Sequence, residues 1–197
     1  IPAALRGELL AALRATPWAS LRRERDAVAA EGYITLRRPP AGCAESDLSA
    51  AARRAERKRR RHARLWDAAA AVIAYEDAVF ADRYDTIAVT RCFRGSPHVD
   101  TYDLDVQYCA SFGVFDAAEG KGALMVEEGT FATAAVVTKD HIACVDGRHV
   151  HWVAPYDNAK GASSTSAPPE RFSVVWFRTR GAVVAKGAAV VRAQVVP

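Results

Sequence analysis

Cysteine is scarce in this chain. Cys43, Cys92, Cys109 and Cys144 are spread over 197 residues without a Cys-x-x-Cys pair, which excludes a zinc knuckle and a small disulfide framework and favours a reducing, intracellular compartment. Long hydrophobic runs are also missing. No stretch approaches the roughly 18 apolar residues of a membrane span, and no charged-then-apolar leader marks an intact secretory signal. The first residue is Ile1 rather than Met, which fits a fragment or a processed chain. Internal repeats are absent, and the one low-complexity segment is Asn158–Glu170 (NAKGASSTSAPPE). Large apolar side chains are fewer than the 50% hydrophobic fraction implies, because 41 residues are alanine.

What is present is ordinary globular material. With 25% charged residues and half the chain apolar, neither disorder nor a collagenous fold fits. A chain of this length buries roughly 70% of its unfolded surface, so a core needs no metal staple. The net charge of +4 is uneven: residues 1–97 hold 18 basic and 12 acidic residues, whereas 98–197 hold 9 and 11.

Side-chain periodicity divides the chain near Tyr84. Leu5, Leu9, Leu10, Leu13 and Leu21 recur at helical spacing over residues 2–30, with Pro17 as a break. Tyr33–Leu36 is a short strand candidate closed by Pro39 and Pro40. A long helix is predicted from an N-cap at Ser46 or Asp47 to about Val79, its second half carrying an apolar stripe of Leu65, Trp66, Ala69, Val72 and Ile73. Beyond Tyr84, short β-branched and aromatic runs predict strands near Thr86–Phe93, Leu104–Phe115, Ala123–Val126, Thr130–Val137, His141–Val145, His151–Pro155, Arg171–Arg178 and Ala182–Val196. The expectation is one domain over 1–197 of α+β class: residues 1–84 as helical support and 85–197 as a jelly roll.

Three pieces of the β half carry side chains able to meet. In an extended segment, residues i and i+2 share a face, so His98 and Asp100 of His-x-Asp can present a nitrogen and an oxygen to one ion. His151, 51 residues after Asp100, would complete a two-His, one-carboxylate face that leaves coordination positions open. That donor set favours Fe(II), without excluding Mn or Zn. Arg171 follows His151 by 20 residues, with the Ser173 hydroxyl two residues further on.

These pieces resemble the Fe(II)/2-oxoglutarate dioxygenases. His98-Val99-Asp100, Asp146-Gly147-Arg148 leading into His151-Trp152-Val153-Ala154-Pro155, and Arg171-Phe172-Ser173 are similar to the family's iron-binding and cosubstrate-binding strands, over about residues 86–180. The resemblance implies a double-stranded β-helix (cupin-like jelly roll), with His98, Asp100 and His151 holding iron. It prefers His151 to His149, and it implies that Arg171 and Ser173 take the distal carboxylate of 2-oxoglutarate while O2 occupies the remaining position. Within the superfamily, the run SPHVDTYDLDVQYCASFGVFDAAEGKGALMV is similar to the TET/JBP group, which oxidises the methyl group of 5-methylcytosine or thymine in DNA. The spacing His98-x-Asp100-x-x-Asp103 looks like that group's ascorbate-using algal branch, which implies that Asp103 contacts L-ascorbate; its other readings are a solvated loop aspartate or a turn former. Tyr102, Tyr108 and Trp152 are candidates for stacking on a flipped base.

A basic cluster precedes the β half. Arg53, Arg57, Arg60 and Arg64 fall on one helical face, with Arg54, Lys58 and Arg61 beside them. Such a cluster fits a phosphate backbone, a nuclear address signal, or a solvated face. Three readings stay open: modification of methylated DNA, hydroxylation of a protein side chain or small metabolite by the same iron chemistry, and a non-catalytic β-sandwich module with a nucleic-acid-binding helix. Nothing singles out a protein partner.

Overall fold

Alanine and leucine at helical spacing give way after Tyr84 to Val, Ile, Phe and Thr, and the backbone changes with them. The computed structural model describes residues 1–20, 29–40, 42, 46, 48–157 and 169–196. Leu21, Cys43, Asp47 and most of the 158–170 low-complexity segment lie outside the described residues.

Among the described residues there are four α-helices, the first separated from the other three by one strand. α1 (Ala3–Arg14) buries Leu9, Ala12 and Leu13, and is followed by Pro17 and a 3-10 turn at Trp18–Ser20. The long helix expected up to Val79 is instead three. α2 (Ala50–Arg61) starts at Ser49, whose hydroxyl accepts from the Ala52 N–H at 3.1 Å, as N-capping requires. At His62 the backbone leaves helical geometry, with φ −108° and ψ 32°, before α3 (Ala63–Glu76). Asp77 then turns extended, and its carboxylate caps α4 (Ala78–Arg83) by accepting from the Phe80 N–H at 2.9 Å. An aspartate that competes for backbone donors starts a new helix better than it continues an old one.

Among the described residues there are nine strands: β1 (Gly32–Arg37), β2 (Thr86–Arg91), β3 (Gln107–Phe112), β4 (Leu124–Glu127), β5 (Thr133–Val136), β6 (Ile142–Val145), β7 (His151–Val153), β8 (Phe172–Phe177) and β9 (Val190–Arg192). They form a six-stranded sheet, β1-β2-β8-β3-β6-β9, and a three-stranded sheet, β5-β4-β7; every strand pairing is antiparallel. The strand expected over Ala182–Val196 shrinks to Val190–Arg192. Ahead of it the backbone bonds to loops instead: the Val184 N–H donates to the Leu104 carbonyl at 2.7 Å.

The result is a mixed α+β fold of two antiparallel sheets that do not close into a barrel. One face of the large sheet, with Ile87, Val89, Phe172, Val174 and Trp176, packs on Leu9, Leu13, Leu65, Val72 and Ile73 of the helices. Its other face meets the small sheet in a second core containing Cys109, Ala143 and Val145 with Leu124, Val126, Ala134 and Val136. No helix among the described residues is long and apolar enough to cross a membrane.

Candidate metal centre

The strand pattern brings the expected ligands together. His151 opens β7, with its side chain on the same side as Val153, and both are buried. The segment before it is tied to an isolated bridge: the His98 N–H donates to the His151 carbonyl at 3.0 Å, and the His151 N–H returns the bond at 2.9 Å. Two residues on, the Asp100 N–H donates to the Gly147 carbonyl at 2.8 Å. His98 and Asp100 therefore share a side, as their i, i+2 spacing requires. The donor atoms of His98, Asp100 and His151 lie within 4.8 Å of one another, forming a group that could hold a metal ion. Asp100 Oδ2 stands 3.4 Å from His151 Nε2.

The surroundings fix which nitrogens face the centre. His98 Nδ1 is 2.8 Å from the Ser96 carbonyl, and His151 Nδ1 is 3.0 Å from the His149 carbonyl. A carbonyl can only accept, so each Nδ1 carries the proton, leaving Nε2 as the ligand atom. Burial opposes a charge on His151, but the Asp100 carboxylate and the His149 carbonyl outweigh it and hold its pKa above the ordinary histidine value. The loop behind Asp100 is braced by Asp146, fully covered, whose carboxylate accepts from Arg148 Nε at 2.7 Å and Nη2 at 2.6 Å. Gly147 sits where a Cβ would lie 2.5 Å from Gln107 Nε2 and 3.2 Å from Asp100 Oδ2. Only a residue without a side chain lets the loop approach so closely.

All three candidate ligands line a cavity of about 510 Å³, which also reaches Asp103, Arg171 and Ser173. Arg171, the residue just before β8, and Ser173 within it are i and i+2 and meet on the cavity side. Arg171 is 2% exposed. Its Nη1 donates to Ser173 Oγ at 2.5 Å and its Nη2 to the Gly122 carbonyl at 3.0 Å. The ring centroids of Tyr156 and Phe115 lie 5.2 and 5.4 Å from its guanidinium carbon. Among the described residues no carboxylate pairs with Arg171, and burial pushes its pKa down to about 10. A buried cation without a counter-ion is costly unless a ligand supplies one. Asp103 is the opposite case, 5% exposed with Oδ2 lacking a hydrogen-bond partner; burial, then the charge of Asp100, pushes its pKa up to about 8. It is covered rather than solvated, although it does close a turn, its N–H donating to the Asp100 carbonyl at 3.3 Å.

The basic cluster is only partly available to a partner. Because α2 ends at Arg61, Arg64 belongs to α3 and lies beyond the His62 break. Arg60 donates to Glu56 at 2.8 Å, as does Arg59, whose guanidinium also lies over Trp66 at 5.4 Å. Arg53 donates to the Leu48 carbonyl at 2.6 Å, and burial pushes the Lys58 ammonium down to about 8. Arg54, Arg57, Arg61 and Arg64 are exposed. Of the three aromatic candidates, Tyr102 lines the cavity and is 78% exposed. Tyr108 is buried on the helix side, donating to Asp77 Oδ2 at 2.5 Å, and Trp152 does not line the cavity.

Thr90 and Gln107, both buried and both lining the cavity, were not singled out by sequence. Their strands read as ordinary β segments, and no motif marks them. Neither the protein-family models nor the curated proteins with which the chain was compared gave a match.

Proposed function

We propose that this protein is an Fe(II)-dependent oxygenase-type enzyme that modifies the methyl group of 5-methylcytosine, or thymine, in DNA, with 2-oxoglutarate or L-ascorbate as cosubstrate. The observation that carries the reading is one cavity holding two opposed features: a His98, Asp100, His151 donor group and, in the same walls, a buried Arg171 without an acidic partner. Two imidazoles and one carboxylate suit iron and leave coordination positions open. The cofactor supplies O2 activation and removal of hydrogen from a methyl carbon; the protein supplies orientation and exclusion.

The chain's own residues have distinct tasks in this reading. His98 and His151 present Nε2 because their Nδ1 protons are held by backbone carbonyls. Arg171 supplies the cation, and Ser173 Oγ, already fixed by Arg171, offers its proton to the same anion. Asp103 faces the cavity as an acceptor or, when protonated, a donor toward cosubstrate hydroxyls. Tyr102 offers an exposed ring at the cavity, suited to stacking on a base taken out of the duplex. Arg54, Arg57, Arg61 and Arg64 offer salt-sensitive contacts to phosphates. The two sheets facing each other, with His151 on the small sheet, His98 bridged to it and Arg171 leading into β8 of the large one, fit the arrangement a double-stranded β-helix would use.

The test is incubation of iron-loaded protein and O2 with methylated duplex DNA and each cosubstrate, followed by nucleoside mass spectrometry. Loss of 5-methylcytosine with a new nucleoside is expected, and Asp100→Ala should abolish both the change and the bound iron. Unchanged DNA beside retained iron would overturn the DNA assignment. If DNA binding is also insensitive to salt, the substrate becomes a protein side chain or small metabolite. Full retention of function by Asp100→Ala would leave only a binding module.

A further inference from the structure

Five buried side-chain polar atoms among the described residues have no hydrogen-bond partner, and three of them belong to walls of the same cavity: Asp103 Oδ2, Arg171 Nε and Thr90 Oγ1. Clustering of this kind points to a missing ligand, because buried polar atoms are otherwise almost always satisfied. Asp103 and Arg171 already have a place in the cosubstrate reading. Thr90 has none.

Its position on the sheet is informative. Thr90 on β2 is paired with Ser173 on β8, and on its other side with Tyr33 on β1. Ser173 is in turn paired with Ser111 on β3. A row of hydroxyl-bearing residues thus crosses four adjacent strands, and three of them, Tyr33, Thr90 and Ser173, line the cavity, where the flanking Ala88 and Val175 are apolar. Ser111 Oγ is engaged with Thr138 Oγ1 at 2.9 Å, and Ser173 Oγ accepts from Arg171. Thr90 is 7% exposed and its Oγ1 is buried, yet that atom has no hydrogen-bond partner. Directly opposed residues in antiparallel strands have Cβ atoms about 4.5–5.5 Å apart, so one oxyanion can touch the side chains of Thr90 and Ser173 together.

We propose that Thr90 is a cosubstrate-binding residue: its hydroxyl donates to the same oxyanion of an organic acid that Arg171 and Ser173 hold, making a three-residue anion subsite on the large sheet. This rests on the reading of the cavity as a cosubstrate site. It assigns the anionic end of the ligand to strands β2 and β8, away from the metal ligands on β7 and its bridge. A valine at position 90 would fit the strand equally well, so the hydroxyl is there for something other than folding.

The experiment is anaerobic calorimetric titration of 2-oxoglutarate and of ascorbate into Mn(II)-loaded wild-type protein, Thr90→Val, Thr90→Ser and Arg171→Gln, with melting curves of each. Thr90→Val should weaken binding of the ligand that wild type takes by about tenfold, the worth of one hydrogen bond to a charged group. Thr90→Ser should restore it, and ligand-free Thr90→Val should melt no lower than wild type, since removing an unpaired hydroxyl costs the fold nothing. Wild-type affinity in Thr90→Val beside lost affinity in Arg171→Gln would overturn the role of Thr90 and leave the cosubstrate reading standing. A Thr90→Val protein that melts well below wild type would overturn it as well, by making the hydroxyl structural. Failure of both ligands to bind wild type would overturn the subsite and the cosubstrate reading together.

Discussion

The six-stranded sheet has two faces of opposite character, built from alternate residues of the same strands. On β8, Phe172, Val174 and Trp176 face the helices, whereas Ser173, Val175 and Phe177 line the cavity. On β2, Ile87 and Val89 take the helix side while Ala88 and Thr90 line the cavity. The helix face is mostly apolar and bonds the indole it buries: Trp176 is 0% exposed and its Nε1 donates to the Ala69 carbonyl at 3.2 Å, while the Tyr84 hydroxyl is the one buried polar side-chain atom of that core without a hydrogen-bond partner among the described residues. The cavity face buries Arg171 without a counter-ion and leaves Thr90 Oγ1 and Asp103 Oδ2 unpaired. One face serves stability, and the other holds polar groups that folding alone would not place there.

The largest expected contrast lies between two fully buried residues, one on each side. Trp176→Ala should lower the unfolding free energy by about 3–5 kcal/mol, through lost burial and the cavity it leaves. Arg171→Met, at a site just as covered, should change it by no more than about 1 kcal/mol, or raise it, because an uncompensated charge leaves the interior. Denaturant titration of the two variants measures both. A loss in Arg171→Met as large as that in Trp176→Ala would make the cavity face structural after all.

Two equally buried aspartates give a smaller contrast. Asp85, at the start of β2, accepts from Thr86 Oγ1, Thr179 Oγ1 and the N–H groups of Thr179 and Arg180. Burial works to raise its pKa, but those bonds win and hold it below the ordinary carboxylate value. A depressed folded-state pKa adds stability that is present above the unfolded-state value and is lost as pH falls through the folded one. Asp85→Asn should therefore cost about 2 kcal/mol at neutral pH and remove part of the acid-side fall in stability. Asp103→Asn, with an oxygen that no protein group satisfies, should cost close to nothing in the metal-free protein. Equal losses in the two variants, read from melting at neutral pH, would show Asp103 to be bonded in the fold.

Much of this division was legible in the sequence. The alternation of β8 and the i, i+2 spacing of His98 with Asp100 are local properties, and the strand period carries them directly to three dimensions. Where backbone partners decide, sequence reading fell short. The helix break at Asp77 depends on capping and on Tyr108 reaching across from β3, the break at His62 has no side-chain cap to mark it, and the segment before β9 bonds to loops rather than to a neighbouring strand. The basic cluster looked uniform, yet a single glutamate, Glu56, draws in Arg59 and Arg60. Thr90 could not be found at all, because a hydroxyl without a partner is a property of the assembled walls and not of any motif.

The smallest expected effect tests how closely the loop behind the metal group is fitted. The Gly147 carbonyl accepts from the Asp100 N–H, and a Cβ on Gly147 would lie 2.8 Å from Gln107 Cδ, as well as closer still to its Nε2. Gln107 is 3% exposed and lines the cavity, so Gly147→Ala must shift either its carboxamide into that space or the loop that orients Asp100. A displaced ligand loses metal affinity, and changes just behind ligands typically cost about 10–100-fold; the lower end is expected here, because a methyl group displaces Asp100 without removing it. The helix face is untouched, so melting of the metal-free variant should stay near wild type while Mn(II) titration shows weaker binding. Unchanged metal affinity would mean that Asp100 does not depend on this loop for its position, and that the cavity face tolerates repacking as the helix face does not.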